Sequence, residues 1–274
     1  VLPFYSATHY KRTGEDRSAA YTYKYLLKAY PASAEAAQTI ATTAYAQDVS
    51  GAIARLSESR LALLEERAGA KRDRLSVLKV DVADEKGASL VAQTAIERFG
   101  TVHGLANIAG GIAGIGEDII DRPIDRITPE EYQQTVRLNL DSAFFMTRAL
   151  VPHFRDKHYG KIVNVASLAA FGNFDHMGNA GYDAAKAAVV GLTHTLSRSL
   201  GPDGIRINVV APGSVYTEKV KQAFSPEFIE LQRRRIPIRE HVGPLDVAKA
   251  LAFFLSTESD AVSGEVIRAS GGLR

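Results

Sequence analysis

From residue 74 onward, short runs of β-branched and apolar residues alternate with longer stretches of helical periodicity, which leaves few folds open. RLSVLKVDV (74–82), VHGLANIAG (102–110), KIVNVAS (161–167), IRINVVAPG (205–213) and GEVIRASGG (264–272) read as strands. Between them, GASLVAQTAIERFG (87–100), TPEEYQQTVRLNLDSAFFMTRALVPHF (128–154), YDAAKAAVVGLTHTLSRSLG (182–201) and PLDVAKALAFFLS (244–256) space their apolar residues as helices do. Gly100 suits a helix C-cap, while Thr128, Pro129 and Glu131 supply an N-cap, a first-turn proline and a capping box. Strands that are apolar throughout, rather than at every second residue, are buried on both faces. The expected fold class is therefore α/β, a doubly wound parallel sheet in three layers, with helices on both sides. Ligands in such sheets bind beyond the carboxyl ends of the strands, where Asp81, Asn107, Ser167 and the segment 212–217 fall.

The first 70 residues carry the pattern less plainly. YKYLLK (23–28) reads as the first strand, AYPASAE (29–35) as the turn and AEAAQTIATTAYAQD (34–48) as the helix after it. VSGAIAR (49–55) comes next as second strand and SESRLALLEERAG (57–69) as the next helix. Residues 1–22 become a polar extension and 23–274 a single domain. No linker, low-complexity stretch or internal repeat divides the chain.

The formal net charge is +2 with acids and bases interspersed, so nucleic acid is not an expected partner. Arg233, Arg234 and Arg235 read as the solvated face of a helix. The absence of cysteine excludes disulfides and thiolate chemistry and fits a reducing cytoplasm. No apolar run approaches the roughly 18 residues that span a bilayer, and no secretory leader is expected at the N-terminus. The seven histidines lack metal-ligand spacing, so no metal is expected.

NIAGGIAGIGE (107–117) holds Gly110, Gly114 and Gly116 in a spacing that a pyrophosphate-cradling turn can take. The next residues, DIIDRPIDRITPEE after Glu117, bring more carboxylates and then a proline, a poor start for an anion-binding helix. The segment reads instead as the loop after the fourth strand. The turn position itself, AYPASAE, has no glycine; Ala29, Ser33 and Glu35 stand where glycines are expected. A second candidate turn is Thr13–Gly14 in KRTGEDRSAAY, although no apolar strand leads into it.

Tyr182 and Lys186 stand four apart on one helix face, and Ser167 ends the preceding strand. An ammonium beside a phenol favours the phenolate, and such a tyrosine can exchange a proton with an alcohol or carbonyl oxygen that a serine hydroxyl holds.

DVAD (81–84), NIAG (107–110), RLNLDSAF (137–144), KIVNVAS (161–167), GYDAAKAA (181–188), GPDGIRINVVAPGSVYTE (201–218) and VSGEVIRASGG (262–272) together resemble the short-chain dehydrogenase/reductase family. The resemblance implies a Rossmann-like fold and a nicotinamide cofactor, NAD or NADP. It also implies an oxidoreductase that interconverts a secondary alcohol and a ketone. By position it makes Tyr182 the acid/base, Lys186 its partner and a ligand of the nicotinamide ribose, and Ser167 the group that polarises the substrate oxygen. Asn139 would support a proton-relaying water. Asp81 and Val82 would meet the adenine, and Asn107, Ala109 and Gly110 would line the cofactor's path. Pro212, Gly213, Val215 and Thr217 would contact the nicotinamide end. Arg55, at the end of the expected second strand, could meet an NADP 2′-phosphate or simply face solvent.

The glycine-free turn keeps an alternative open: a relative that has lost cofactor binding and serves in cofactor-free proton transfer or as a scaffold. Residues 1–48 could also pack on a neighbouring subunit. The expected substrate is a small hydrophobic alcohol or ketone, walled by Phe171, Phe174, His176, Met177, Phe224, Phe228, Ile236 and Ile238. The family resemblance further implies a homo-oligomer, dimer or tetramer, built on helices 128–154 and 182–201.

Overall fold

The computed structural model describes residues 4–6, 39–44, 75–112, 122–172, 178–216 and 225–274. Seven parallel strands form one sheet: β1 (Phe4–Ser6), β2 (Thr39–Ala44), β3 (Leu75–Val80), β4 (Gly104–Asn107), β5 (Gly160–Val165), β6 (Ile205–Pro212) and β7 (Val266–Ala269). Their order is β3-β2-β1-β4-β5-β6-β7. The described helices are α1 (Glu85–Phe99), α2 (Pro129–Val136), α3 (Ser142–Asp156), α4 (Ala180–Leu200), α5 (Pro226–Arg235) and α6 (Pro244–Leu255). Strand order reverses between β1 and β4, and the crevice outside their carboxyl ends is where a doubly wound sheet takes a ligand.

Successive strand residues face opposite sides of the sheet, which builds two cores from one set of strands. Leu105, Ile162 and Ile207 pack with Met146, Leu150 and Phe154 of α3 and Val91 of α1. Val189 and Val190 of α4 meet Val209 and Ala211. On the other face, Ala106, Val163 and Val210 pack with Leu251, Phe254 and Leu255 of α6. The three-layer arrangement expected from the apolar runs is the observed one.

The helix ends obey the local sequence. The Asp84 side chain accepts from Gly87 N at 3.1 Å, and Gly100, at φ 75°, closes α1 with its N–H on Ile96 O. Thr128 Oγ1 accepts from Glu131 N while Glu131 Oε2 accepts from Thr128 N, so the capping box is complete. The long helix expected over 128–154 is two helices joined by a π-helical turn, Arg137–Asp141.

The N-terminal reading needs correction. The first described strand is Phe4–Ser6, inside the segment expected as a polar extension, while residues 23–28, expected as the first strand, lie outside the described residues. The second strand is Thr39–Ala44, inside the expected helix 34–48. TIATTA has four β-branched residues in six, which favours an extended chain, and it finds a full partner in β3, Thr39 opposite Leu75 through Ala44 opposite Val80. Three residues are too few to show a period, and β1 is defined by its partners: Tyr5 pairs with Ala41 on one side and Ala106 on the other. The segments 23–35 and 49–69 lie outside the described residues.

Candidate active site

The chemistry gathers at the carboxyl ends of β4, β5 and β6. β5 ends at Val165, and Ser167 stands two residues on in extended backbone, capping a short 3₁₀ turn (Leu168–Phe171) by accepting from Ala169 N at 3.1 Å. Asn179 begins α4, its side chain accepting from Tyr182 N at 3.1 Å. That cap fixes the turn that carries Tyr182, which is half-buried. One turn later the Lys186 side chain runs back beneath the ring. Its Nζ lies 5.7 Å from the Tyr182 ring centroid and donates to Val165 O at 2.7 Å. The ammonium therefore ties the first turns of α4 to the strand end two residues before Ser167.

Lys186 is 2% exposed, and burial lowers its pKa from 10.5 to about 7. Desolvation alone accounts for this direction, because a low-dielectric interior penalises the charged amine.

Asn139 sits in the π-turn, almost wholly buried. Its Oδ1 accepts from Gly111 N at 2.9 Å, and its Nδ2 donates to Gly111 O at 2.6 Å and Thr135 O at 2.7 Å. Gly110 lies against both groups: a Cβ there would fall 2.6 Å from Asn139 Oδ1 and 2.7 Å from Lys186 Nζ. Bare backbone is the only thing that fits between the amide and the ammonium.

At the neighbouring strand end, Asp81 Oδ1 accepts from Ala83 N at 2.9 Å and Oδ2 from Arg137 Nη2 at 2.6 Å. Beyond β6, Gly213 N donates to Ala269 O, and Tyr216 N donates to Val242 O at 2.8 Å. Tyr216 stacks on His241 with ring centroids 4.2 Å apart. Pro212 is buried, while Gly213 and Val215 are half-buried beside it.

Several expected cofactor contacts change character. Val82 and Ala109 turn their side chains into the core with α1 and α3, so only their backbone remains for a ligand. Asn107 likewise points beneath α3 and α4, its Nδ2 donating to Asn164 Oδ1 at 2.8 Å and Thr147 Oγ1 at 3.2 Å. Asn164 Nδ2 continues the chain to Thr193 Oγ1 at 2.9 Å. Asn107 is a buried brace between β4, β5 and the helices over them; continuous apolar strands give no hint that polar side chains meet beneath α4. Arg55 and Thr217 lie outside the described residues, as do Ala29, Ser33, Glu35, Gly114, Gly116 and the Thr13–Gly14 turn.

Sequence reasoning missed three residues that shape the site. Asn179 had a visible signal, an N-cap type three residues before Tyr182. Arg137 and His241 had none, since each is defined by a distant partner.

The described half of the crevice fits a nicotinamide dinucleotide. Gly110 leaves bare backbone beside a lysine, and a carboxylate stands at the β3 end. The turn after β1, where the pyrophosphate belongs, lies outside the described residues.

Known proteins resemble this chain in sequence and in fold. A family model described as enoyl-(acyl carrier protein) reductase matches residues 34–274. A 2,3-dihydroxy-2,3-dihydro-p-cumate dehydrogenase of Pseudomonas putida is 36% identical over 223 residues, covering 79% of this chain and 82% of its own. The 3-oxoacyl-acyl-carrier-protein reductase of Thermotoga maritima is 31% identical over 234 residues, covering 85% and 91%. The solved structure of ElxO with NADP bound superposes with a TM-score of 0.77 at 22% identity, covering 100% of this chain and 99% of that one; at that identity the likeness is one of fold.

Proposed function

This chain belongs to the short-chain dehydrogenase/reductase family and is an NAD(P)-dependent oxidoreductase, and from that premise we propose that it interconverts a secondary alcohol and a ketone at Ser167, Tyr182 and Lys186. When bound, the nicotinamide supplies or accepts the hydride, which no side chain can do. Ser167 holds the substrate oxygen, and Tyr182 gives or takes its proton. Lys186 favours the phenolate from beneath the ring and binds the ribose. Asn139 and the Gly110–Gly111 backbone keep the lysine in place and support a relaying water. Asp81 and the backbone of Val82, Ala109 and Gly110 hold the adenine side, and Pro212, Gly213, Val215 and Thr217 the nicotinamide end. The observation that carries the reading is the Lys186 ammonium, anchored on Val165 O and 5.7 Å from the Tyr182 ring.

The substrate is a small hydrophobic molecule. The relatives are named for a 2,3-dihydroxy-2,3-dihydro-p-cumate and a 3-oxoacyl-acyl-carrier-protein, and Phe228 on α5 and Ile238 just beyond it are exposed apolar side chains. Those oxidoreductase relatives weigh against a cofactor-free or scaffold role. The enzyme assembles as a homo-oligomer through α2, α3 and α4, where Tyr132 and Phe144 expose 47% and 44% of their surface.

Tyr182→Phe tests the reading. Turnover falls at least about 100-fold while circular dichroism and NAD(P)H binding are retained. A Tyr182→Phe enzyme with full turnover overturns the assignment.

A further inference from the structure

We infer that Arg137 is a positioning residue for the adenine end of the cofactor, acting through Asp81; the inference rests on the dinucleotide reading above. Arg137 is the first residue of the π-turn, and Asn139 stands two residues on. On a helix, side chains two apart diverge, so one turn can serve two loops of the crevice. Asn139 grips Gly111 after β4, and Arg137 reaches the carboxylate after β3 at 2.6 Å. A π-turn adds a residue to a helical turn and gives up regular bonding to do so. Here it brings the adenine-side carboxylate and the Gly110–Lys186 contact under the control of one five-residue segment.

The chemistry supports more than a surface ion pair. An ionised carboxylate has about four acceptor positions. Ala83 N and Arg137 Nη2 take one on each oxygen of Asp81, fixing the plane of the group and leaving the others to accept from an amino group such as adenine's. The Asp81 side chain is only 19% exposed, whereas Arg137 keeps 43% of its surface open at the crevice rim. The cofactor carries its own negative charge. A carboxylate next to it repels unless a cation stands close, and the guanidinium supplies that cation while keeping further donors free of Asp81.

The test is an equilibrium titration of NADH and NADPH, monitored by nicotinamide fluorescence, with steady-state kinetics beside it. It compares the parent protein with Arg137→Gln, Arg137→Lys, Asp81→Asn and the double variant Asp81→Asn/Arg137→Gln. Expected for Arg137→Gln is a rise in Kd and in KM for the preferred cofactor of about 5-fold, with kcat within about 2-fold. Arg137→Lys recovers part of the affinity. The double variant binds no more weakly than the worse single variant, because the two residues act through one contact. An Arg137→Gln protein with parental Kd overturns the inference, and so does one that loses kcat at unchanged Kd. Should Arg137→Gln fail to fold, Asp81→Asn and Arg137→Lys decide: parental affinity in both overturns it. A parent protein that binds neither cofactor brings down the dinucleotide reading and this inference with it, an outcome distinct from tight binding that Arg137 does not affect.

Discussion

Replacing Lys186 by methionine should make the protein more stable and inactive. The ordinary lysine pKa is 10.5, and burial brings Lys186 to about 7. At 1.36 kcal/mol per pH unit, that difference costs the folded state on the order of 5 kcal/mol wherever the amine is charged in both states. Below about pH 7 the folded and unfolded chains both hold the proton, and the whole cost is present. Between 7 and 10.5 the unfolded chain binds more protons than the folded one, so stability rises with pH; above 10.5 the cost is gone. Methionine has a similar shape and no charge to desolvate. It removes the donor to Val165 O, which costs back about 1 kcal/mol. With partial relaxation around the amine, the expected net gain at pH 6 is about 2–4 kcal/mol, or a Tm increase on the order of 5–10 °C. Urea melts of both proteins at pH 6, 8 and 10 check this. The difference curve should shrink steadily toward high pH. A Lys186→Met protein that is less stable than its parent at pH 6, with a flat difference curve, would refute the claim that this ammonium is held at a desolvation cost. In the proposed reaction, the stability lost to Lys186 is the counterpart of a cation placed beside the Tyr182 phenolate.

The same geometry sets two further outcomes. Gly110→Ala places a methyl 2.6 Å from Asn139 Oδ1 and 2.7 Å from Lys186 Nζ, both buried and already bonded. Urea denaturation should show a loss of about 1–3 kcal/mol, with turnover at least about 10-fold lower; parental stability and rate together would contradict the packing described. Phe144→Glu puts a carboxylate on the most exposed phenylalanine of α3 and should dissociate the proposed homo-oligomer. Sedimentation velocity reads the mass directly, and an unshifted oligomer would rule this helix out of the interface.

The part of this protein that its sequence determines is the part written in local periodicity. Runs such as KIVNVAS and IRINVVAPG are apolar at consecutive positions, and only a strand covered on both faces needs that. The order of elements then puts Ser167, Tyr182 and Lys186 at one strand end, because a four-residue helical spacing and a strand terminus are both local features. The capping box at Thr128 is readable for the same reason.

What only the tertiary structure decided depends on partners distant in sequence. Phe4–Ser6 is a strand because β2 and β4 flank it, and Thr39–Ala44 because β3 offers it six matching residues. Three residues of β1 show no period of their own, and the β-branched bias of β2 becomes a strand only with that partner. The π-turn, the Asp81–Arg137 pair across 56 residues and the inward turn of Asn107 come from packing α2 and α3 onto the sheet. Lys186 is the sharpest case. A sequence can place a lysine one turn from a tyrosine, but the displacement of its proton equilibrium comes from excluding water. Exclusion is a property of everything packed around the amine and of no residue by itself.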